Sequence, residues 1–125
     1  MPRFDKGSAA QGPVVQAITD QGFSVDGGIY RALLLTPERA EQWPAPTLDA
    51  LTIDDLATLL RLEPSPEFLL LGTGPTLKFP PRALVRALDE RGIGIEAMDS
   101  RAAARTWGLL RAEERWIAAA LMPLV

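Results

Sequence analysis

The second half of the 125-residue sequence alternates short apolar runs with helical patterns, and no other feature constrains the fold as strongly. Runs typical of strands occupy 68–71, 93–98 and 116–122, whereas helical patterns occupy 81–91 and 99–112. Strands that alternate with helices form right-handed crossover units around a sheet. The order therefore predicts an α/β fold. The last run is apolar on both faces, which favours a central strand.

The first half of the sequence predicts antiparallel strands followed by a helix. Apolar runs at 14–19, 22–26 and 29–35 are separated by Asp-Gln-Gly and Asp-Gly-Gly, and Asp-Gly between two such runs is a hairpin signal, because glycine accepts the positive φ of a tight turn. These runs predict an N-terminal β meander of three strands. Further on, Thr52 is a good N-cap, and Asp55 stands where an acid favours a helix N-terminus. About three helices are expected in all.

Length and composition bound the number of domains. At 125 residues, 47% of them apolar, the chain fits one domain. Residues 1–13 are polar and aperiodic and are expected to form a flexible tail, which leaves 14–125 as a single α/β domain. No apolar run reaches the ~18 residues that cross a bilayer, so we expect no membrane span and a cytoplasmic location.

The sequence contains neither histidine nor cysteine. Thiol and imidazole chemistry are thereby excluded, as are metal sites built from Cys or His, so no catalytic residue, metal or cofactor is predicted. The net charge of −3 argues against a general nucleic-acid binder, because that class needs a basic surface against phosphate.

Two segments supply candidate site residues. Gly72-Thr73-Gly74 follows a buried strand, where open α/β sheets place ligand crevices. The segment fits neither the phosphate loop nor the dinucleotide fingerprint, which favours a tight structural turn over a ligand loop. Asp99-Ser100-Arg101 opens a helix directly after a strand. A plain N-cap is favoured for Asp99, and the alternatives are an anion site beside Arg101 or a general base at Asp99.

The helix that begins after Asp99 has an outward side rich in arginine. A 3.6-residue wheel places Arg101, Arg105 and Arg111 on that side, opposite an inward set. The inward set is Ala102, Ala103, Thr106, Trp107, Leu109 and Leu110. A solvated face paired with Glu113 and Glu114 is the favoured interpretation. The alternative is a patch that grips a carboxylate-rich partner or an RNA backbone.

Four further residues leave alternatives open. Glu96, in a predicted strand, is either buried, where an ionised carboxylate is costly and marks a site, or exposed to solvent. Trp43 and Trp116 are either interface anchors or covers of the core edge. Lys78 lies in an apolar neighbourhood that gives no signal of an imine-forming pocket.

Three segments, taken in order, resemble a family of small domains of unknown function that includes the mitochondrial respiratory complex I assembly factor 3 and the adipogenesis-associated domain protein. They are FLLLGTG at 68–74, IEAMDSRAAARTW at 95–107 and RWIAAALMP at 115–123. The resemblance implies a compact three-layer α/β domain with a central mixed sheet and an added β layer, no established activity and no cofactor. The family usually has threonine where this chain has Ser100, and often Tyr-Asn where it has Trp107-Gly108.

Two hypotheses of function follow. The first is a non-catalytic binding or assembly module with a protein partner, linked to respiratory complex assembly by family analogy. Its binding crevice would be formed by Gly72, Thr73, Gly74, Asp99, Ser100, Arg101 and Arg105. The alternative is an enzyme that binds a small molecule or anion and works with carboxylates alone, Asp99 or Glu96 acting as base. The first is favoured, because the second lacks a positioned second acid.

Overall fold

The computed structural model describes residues 12–125, and the strands in this range form two sheets. The strands are β1 (Ala17–Thr19), β2 (Gly22–Val25), β3 (Gly28–Tyr30), β4 (Leu33–Leu35), β5 (Ala40–Gln42), β6 (Phe68–Gly72), β7 (Gly94–Met98) and β8 (Ala118–Leu121). The α-helices are α1 (Ala57–Leu60), α2 (Arg82–Asp89) and α3 (Ser100–Ala112), and 3-10 segments span Leu48–Ala50 and Ile53–Leu56. Most of the predicted tail, residues 1–11, lies outside the described residues.

The larger sheet has five strands in the order β5-β4-β8-β6-β7. β6 runs parallel to both β7 and β8, and α2 and α3 supply the connections, as the alternation of strands and helices predicts. β4 is instead antiparallel to β8 and to β5. The mixed sheet implied by the resemblance is therefore confirmed, with the apolar runs of β6 and β8 inside it.

The smaller sheet, β1-β2-β3, is an antiparallel meander whose third strand is shorter than predicted. The predicted run 29–35 breaks after Tyr30, and β4 joins the larger sheet, so the prediction of one continuous strand is wrong. The reason is burial. Leu33, Leu34 and Leu35 are each at most 5% exposed, which requires cover on both faces of the strand. Among residues 12–125, only the larger sheet has a layer on each side.

The larger sheet separates two apolar cores, so the chain forms three layers. Alternate residues of β6 lie on opposite faces of the sheet. Leu69 and Leu71 belong to the core beneath α1 and α2, and Leu70 belongs to the core beneath α3 and the smaller sheet. The second core contains Phe23 of β2 and Trp107 of α3, both fully buried. The predicted three-layer α/β architecture is confirmed.

Local signals place the starts of the helices correctly. Asp55 accepts a 2.8 Å hydrogen bond from the backbone N–H of Thr52, at the start of the 3-10 turn that leads into α1. Asp99 accepts a 3.0 Å hydrogen bond from the N–H of the third residue of α3 and so caps that helix. The N-caps predicted from the sequence are therefore confirmed.

The buried stripe of α3 is rotated from the predicted one. Its buried residues are Ser100, Ala103, Ala104, Trp107 and Arg111. Leu109, predicted to face inward, is 69% exposed, and Arg111, predicted to face outward, is buried, so both predictions are wrong. A 3.6-residue stripe that passes through position 107 reaches position 111 and misses 109, whatever the polarity of the residues there. In α2, Val85 is exposed as well.

Candidate functional site

The turn after β6 and the first turn of α3 meet at the carboxyl ends of the parallel strands. The hydroxyl of Ser100 accepts a 2.9 Å hydrogen bond from the N–H of Gly74 and donates a 2.8 Å hydrogen bond to the carbonyl of Met122. Ser100 has no exposed surface. One buried hydroxyl therefore joins the segments that follow β6 and β8 to the start of α3.

The glycine that ends β6 leaves room for this contact. A Cβ on Gly72 would lie 2.7 Å from the Ser100 Oγ and 2.9 Å from the Ser100 Cα. The backbones at this point are joined as well, because the N–H of Met122 donates to the Gly72 carbonyl at 3.0 Å and the N–H of Ser100 donates to the Gly74 carbonyl at 2.8 Å. The small residues at this point allow the backbone at the end of β6 to approach the start of α3 closely.

Thr73, 5% exposed, organises the turn that follows. Its hydroxyl donates a 2.7 Å hydrogen bond to the carbonyl of Thr76 and accepts a 3.1 Å hydrogen bond from the N–H of Lys78. A buried side chain therefore holds the backbone of the exposed segment 75–79.

The predicted crevice is thus divided into a buried part and an exposed part. Five of its residues, Gly72, Thr73, Gly74, Asp99 and Ser100, meet at the strand ends. Gly72 and Ser100 are buried and held by contacts within the chain, whereas Thr73 and Gly74 line a hollow of about 330 Å³. Arg101 and Arg105 are exposed on α3 and belong to its surface.

The two candidate bases have ordinary structural positions. The Asp99 carboxylate is half-buried and is the N-cap of α3. Glu96 is exposed on β7, the edge strand of the larger sheet, which resolves the alternative in favour of a solvent-facing carboxylate.

The exposed side of α3 combines positive charge with apolar surface. Arg101, Arg105 and Leu109 follow one another at intervals of four residues and so lie on one face of the helix. Each is exposed, and within residues 12–125 neither Arg101 nor Arg105 has an ion-pair partner, so these two do not show the predicted pairing with Glu113 and Glu114. The third arginine of the prediction, Arg111, does interact with the Glu114 carboxylate. We call Arg101, Arg105 and Leu109 the α3 surface.

A hollow of about 280 Å³ adjoins the α3 surface, between β1 and α3. Arg105 and Ala104 line it from the helix, and Val15, Ala17 and Ile18 line it from the strand side. One cation therefore stands at the edge of a mostly apolar depression.

A buried hydrogen bond holds the segment before β1 against α3. The indole Nε1–H of Trp107 donates to the carbonyl of Pro13 at 2.8 Å, across 94 positions of sequence. Pro13, the last residue of the predicted tail, is buried. No local signal in the sequence indicates this contact, because each partner alone is an ordinary core or loop residue.

The opposite end of the sheet is closed by a structural ion pair. Arg115 donates from Nη2 and Nε to Glu67 Oε1 at 2.7 and 3.0 Å. The hydrogen bond from Arg115, with a second from the N–H of Trp116, lowers the pKa of the Glu67 carboxyl. The Trp116 indole donates to the carbonyl of Pro64 at 2.6 Å, and Trp43 is only 6% exposed, so both tryptophans are tied to the body of the protein.

Two other kinds of site are absent from the described range. Among residues 12–125, no group of three or more His, Cys, Asp or Glu side chains could hold a metal ion. In the same range, no helix has the length and apolar character needed to cross a bilayer.

These features define a small three-layer α/β domain in which the first turn of α3 packs against the ends of the parallel strands and exposed arginines lie on α2 and α3. Residues 15–122 match a family described as "Protein of unknown function (DUF498/DUF598)", and the chain belongs to this family.

Known relatives and solved structures agree with that assignment. The chain is 30% identical over 116 residues to "NADH dehydrogenase [ubiquinone] 1 alpha subcomplex assembly factor 3" of Danio rerio, which covers 92% of this chain and 67% of the relative. A crystal structure of a Bordetella parapertussis protein superposes with a TM-score of 0.81 at 35% identity, covering 90% of this chain and 97% of the other. A solution structure from Bordetella pertussis, titled a Mth938-like domain, gives 0.77 at 30% identity, covering 99% and 92%. The family resemblance seen in the sequence is confirmed.

Proposed function

We propose that this chain is a protein-binding module of the assembly-factor type, which holds a partner and converts no substrate. The observation that carries the proposal is the α3 surface. It presents two arginines one helical turn apart and a leucine that is 69% exposed, beside a mostly apolar hollow.

Such a surface suits recognition of a protein. Arginine and large apolar side chains contribute most of the energy in many interfaces, and an apolar depression with a charged rim excludes water around them. The sequence of α3 contains no acidic residue, so the exposed charges of this helix, Arg101 and Arg105, are both positive. The complementary partner carries carboxylates that pair with Arg101 and Arg105, and an apolar side chain that enters the hollow.

The geometry at the strand ends argues against the enzymatic alternative. The hydroxyls of Thr73 and Ser100 are used in hydrogen bonds within the chain, and the Asp99 carboxylate caps α3. Without histidine or cysteine, a reaction here would depend on carboxylates alone. Glu96, the second candidate base, stands exposed on an edge strand.

The relatives support the same kind of role. Proteins named as assembly factor 3 of NADH dehydrogenase share this domain over most of its length, although about a third of each relative lies outside the match. By analogy, we propose that this chain holds a protein during the assembly of a larger complex. A cytoplasmic location remains a prediction, which fractionation of host cells would test.

Affinity purification from the native host tests the proposal. The tagged wild type and Arg101→Glu/Arg105→Glu are purified under identical conditions, and the recovered proteins are quantified by mass spectrometry. We expect the wild type to recover a defined partner and the double variant to recover about tenfold less of it. Reversing two charges at an interface replaces attraction to the partner's carboxylates with repulsion.

Arg61→Glu/Arg91→Glu is the matched control. Both arginines are exposed, they line a separate hollow of about 180 Å³, and they lie with α1 and α2 on the far side of the larger sheet. The control should retain the partner. Equal recovery by the wild type and by Arg101→Glu/Arg105→Glu would refute the role of the α3 surface.

A further inference from the structure

The most exposed large apolar side chain of the described range lies in the turn between β6 and α2. Phe79 is 88% exposed and Leu77 is 57% exposed, with Lys78 between them. A phenylalanine so exposed leaves most of its apolar surface in contact with water, and burying it against a partner is favourable. Exposed aromatic residues of this kind are typical of binding anchors.

Positive charge surrounds these two side chains. From position 68 to position 88 the sequence contains no acidic residue, and its three basic residues are Lys78, Arg82 and Arg86. All three are exposed, and none has an ion-pair partner in the part of the chain that the structure describes. The chain as a whole carries a net charge of −3, whereas the segment 68–88 is positively charged.

The turn is held in place before any partner binds. The Thr73 hydroxyl bonds to both Thr76 and Lys78, and proline occupies positions 75, 80 and 81. Proline fixes φ, and the buried threonine fixes the path of the backbone. A pre-organised anchor loses less conformational entropy on binding than one on a free loop.

A hollow of about 330 Å³ lies next to the turn. Lys78 and Thr73 line one side of it, and Leu48 and Met122 supply apolar surface. Leu77, Lys78, Phe79, Arg82 and Arg86 form a surface that we call the α2 surface. It offers an exposed aromatic residue among exposed cations, and Lys78 is the member of this set that also lines the hollow.

We infer that the α2 surface is a second docking site, which binds an acidic segment of another protein. Carboxylates of that segment pair with Lys78, Arg82 and Arg86, and an apolar pocket of the partner receives Phe79. The site goes beyond the proposed function, because α2 and α3 lie on opposite sides of the larger sheet. A chain with both surfaces can join two proteins.

The geometry favours a protein over an anionic membrane. Leu84 and Leu88 of α2 are at most 2% exposed and belong to the chain's own core, which leaves Val85 as the exposed large apolar residue of this helix. One valine does not make the apolar face with which a helix lies in a bilayer surface. Three cations are fewer than the clusters of four to eight that typically hold a protein to anionic lipid.

Site-specific photo-crosslinking in the native host tests the inference. The photoreactive residue p-benzoylphenylalanine replaces Phe79, and the cross-linked segment of the captured protein is mapped by mass spectrometry. We expect that segment to be acidic. We also expect the yield to fall about tenfold when Lys78→Glu/Arg82→Glu/Arg86→Glu is introduced, and to persist with Arg61→Glu/Arg91→Glu. The same probe at Ile29, 44% exposed on β3, controls for non-specific capture.

A synthetic peptide of the mapped segment extends the test to purified components. It should bind the purified wild-type chain, and its version with amides in place of carboxylates should bind about tenfold more weakly. No cross-link, a segment without acidic residues, or a yield indifferent to the triple reversal would each overturn the inference. So would binding to phosphatidylcholine–phosphatidylserine vesicles that the triple reversal abolishes, because the membrane would then be the partner.

The same experiment separates this inference from the proposed function. Arg101→Glu/Arg105→Glu should leave the Phe79 cross-link intact, whereas a probe at Leu109 reports on the α3 surface. If the probe at Leu109 captures a partner and the probe at Phe79 captures none, the α2 surface is refuted as a docking site while the proposed function stands. Thermal unfolding by circular dichroism confirms that each variant is folded, which we expect because the altered side chains are exposed.

Discussion

Gly72 and Ser100 are in such close contact that a Cβ on the glycine would lie 2.7 Å from the serine hydroxyl oxygen. This contact closes one part of the strand ends, the edge at which α/β proteins commonly bind ligands. A hollow of about 330 Å³ lined by Thr73, Gly74 and Met122 remains beside it, and the other surfaces open to recognition are those of the helices and of the turn before α2.

Replacing Gly72 with alanine should destabilise the fold. The added methyl group would meet Ser100 at 2.7 Å and Leu121 Cδ2 at 3.0 Å, and overpacking of this kind costs about 1–3 kcal/mol. Urea unfolding measures the loss. Gly108→Ala is the matched control, because a Cβ there meets nothing within 4 Å and alanine in a helix is favoured by up to about 1 kcal/mol. Equal stabilities for the two variants would contradict the packing described.

Ser100→Ala should reduce the free energy of unfolding by about 1–3 kcal/mol. The variant leaves the buried Gly74 N–H and the Met122 carbonyl without the hydroxyl that now pairs with both. Chemical denaturation of the variant and of Ser24→Ala gives the comparison, since the Ser24 hydroxyl makes no hydrogen bond with residues 12–125. A Ser100→Ala protein as stable as Ser24→Ala would show that the hydroxyl does not join the strand ends.

The ion pair of Glu67 and Arg115 should make a pH-dependent contribution to stability. The hydrogen bond from Arg115 lowers the pKa of Glu67 in the folded protein below its ordinary value of 4.5. A carboxyl with a depressed folded-state pKa stabilises the fold above the unfolded pKa, and this stabilisation is lost as the pH falls through the folded pKa. Wild type should therefore exceed Glu67→Gln in stability at neutral pH, and the gap should close in acid below pH 4.5. A gap that is constant with pH would contradict this.

Trp107→Phe should loosen the segment before β1. The variant keeps an aromatic ring in the core but removes the indole N–H that bonds to the Pro13 carbonyl at 2.8 Å, and leaving that buried acceptor unpaired costs about 1–3 kcal/mol. Hydrogen–deuterium exchange in the variant should be faster at Gln16, whose N–H donates to the Ser24 carbonyl at 2.8 Å. Unchanged exchange at this amide would mean that other contacts hold the segment.

The sequence predicts the larger elements well, because their signals are local. The strand–helix rhythm gives the parallel part of the larger sheet, and the acids at positions 55 and 99 give two helix starts. The break after Tyr30 is not predicted. Leu33 to Leu35 leave the meander because their burial requires a second layer, which lies on the far side of the larger sheet and which no local pattern indicates.

The candidate site is predicted only in part, for the same reason. The sequence correctly brings the turn after β6 together with the start of α3, since parallel strand ends meet at one edge of a sheet. Whether that meeting leaves a space depends on side-chain contacts such as Gly72 with Ser100, which no spacing rule contains. The exposure of Leu109 and Phe79 likewise depends on the exact rotation of α3 and the path of one turn.

The most direct test of the central claim compares two double variants in one affinity purification from the native host. Glu96→Gln/Asp99→Asn removes the carboxylates that catalysis would need and keeps a side chain able to cap α3, whereas Arg101→Glu/Arg105→Glu reverses the charge of the α3 surface. The account predicts that the first variant retains the partner in wild-type amount and that the second loses it about tenfold. Retention by the arginine variant together with loss by the carboxylate variant would contradict it.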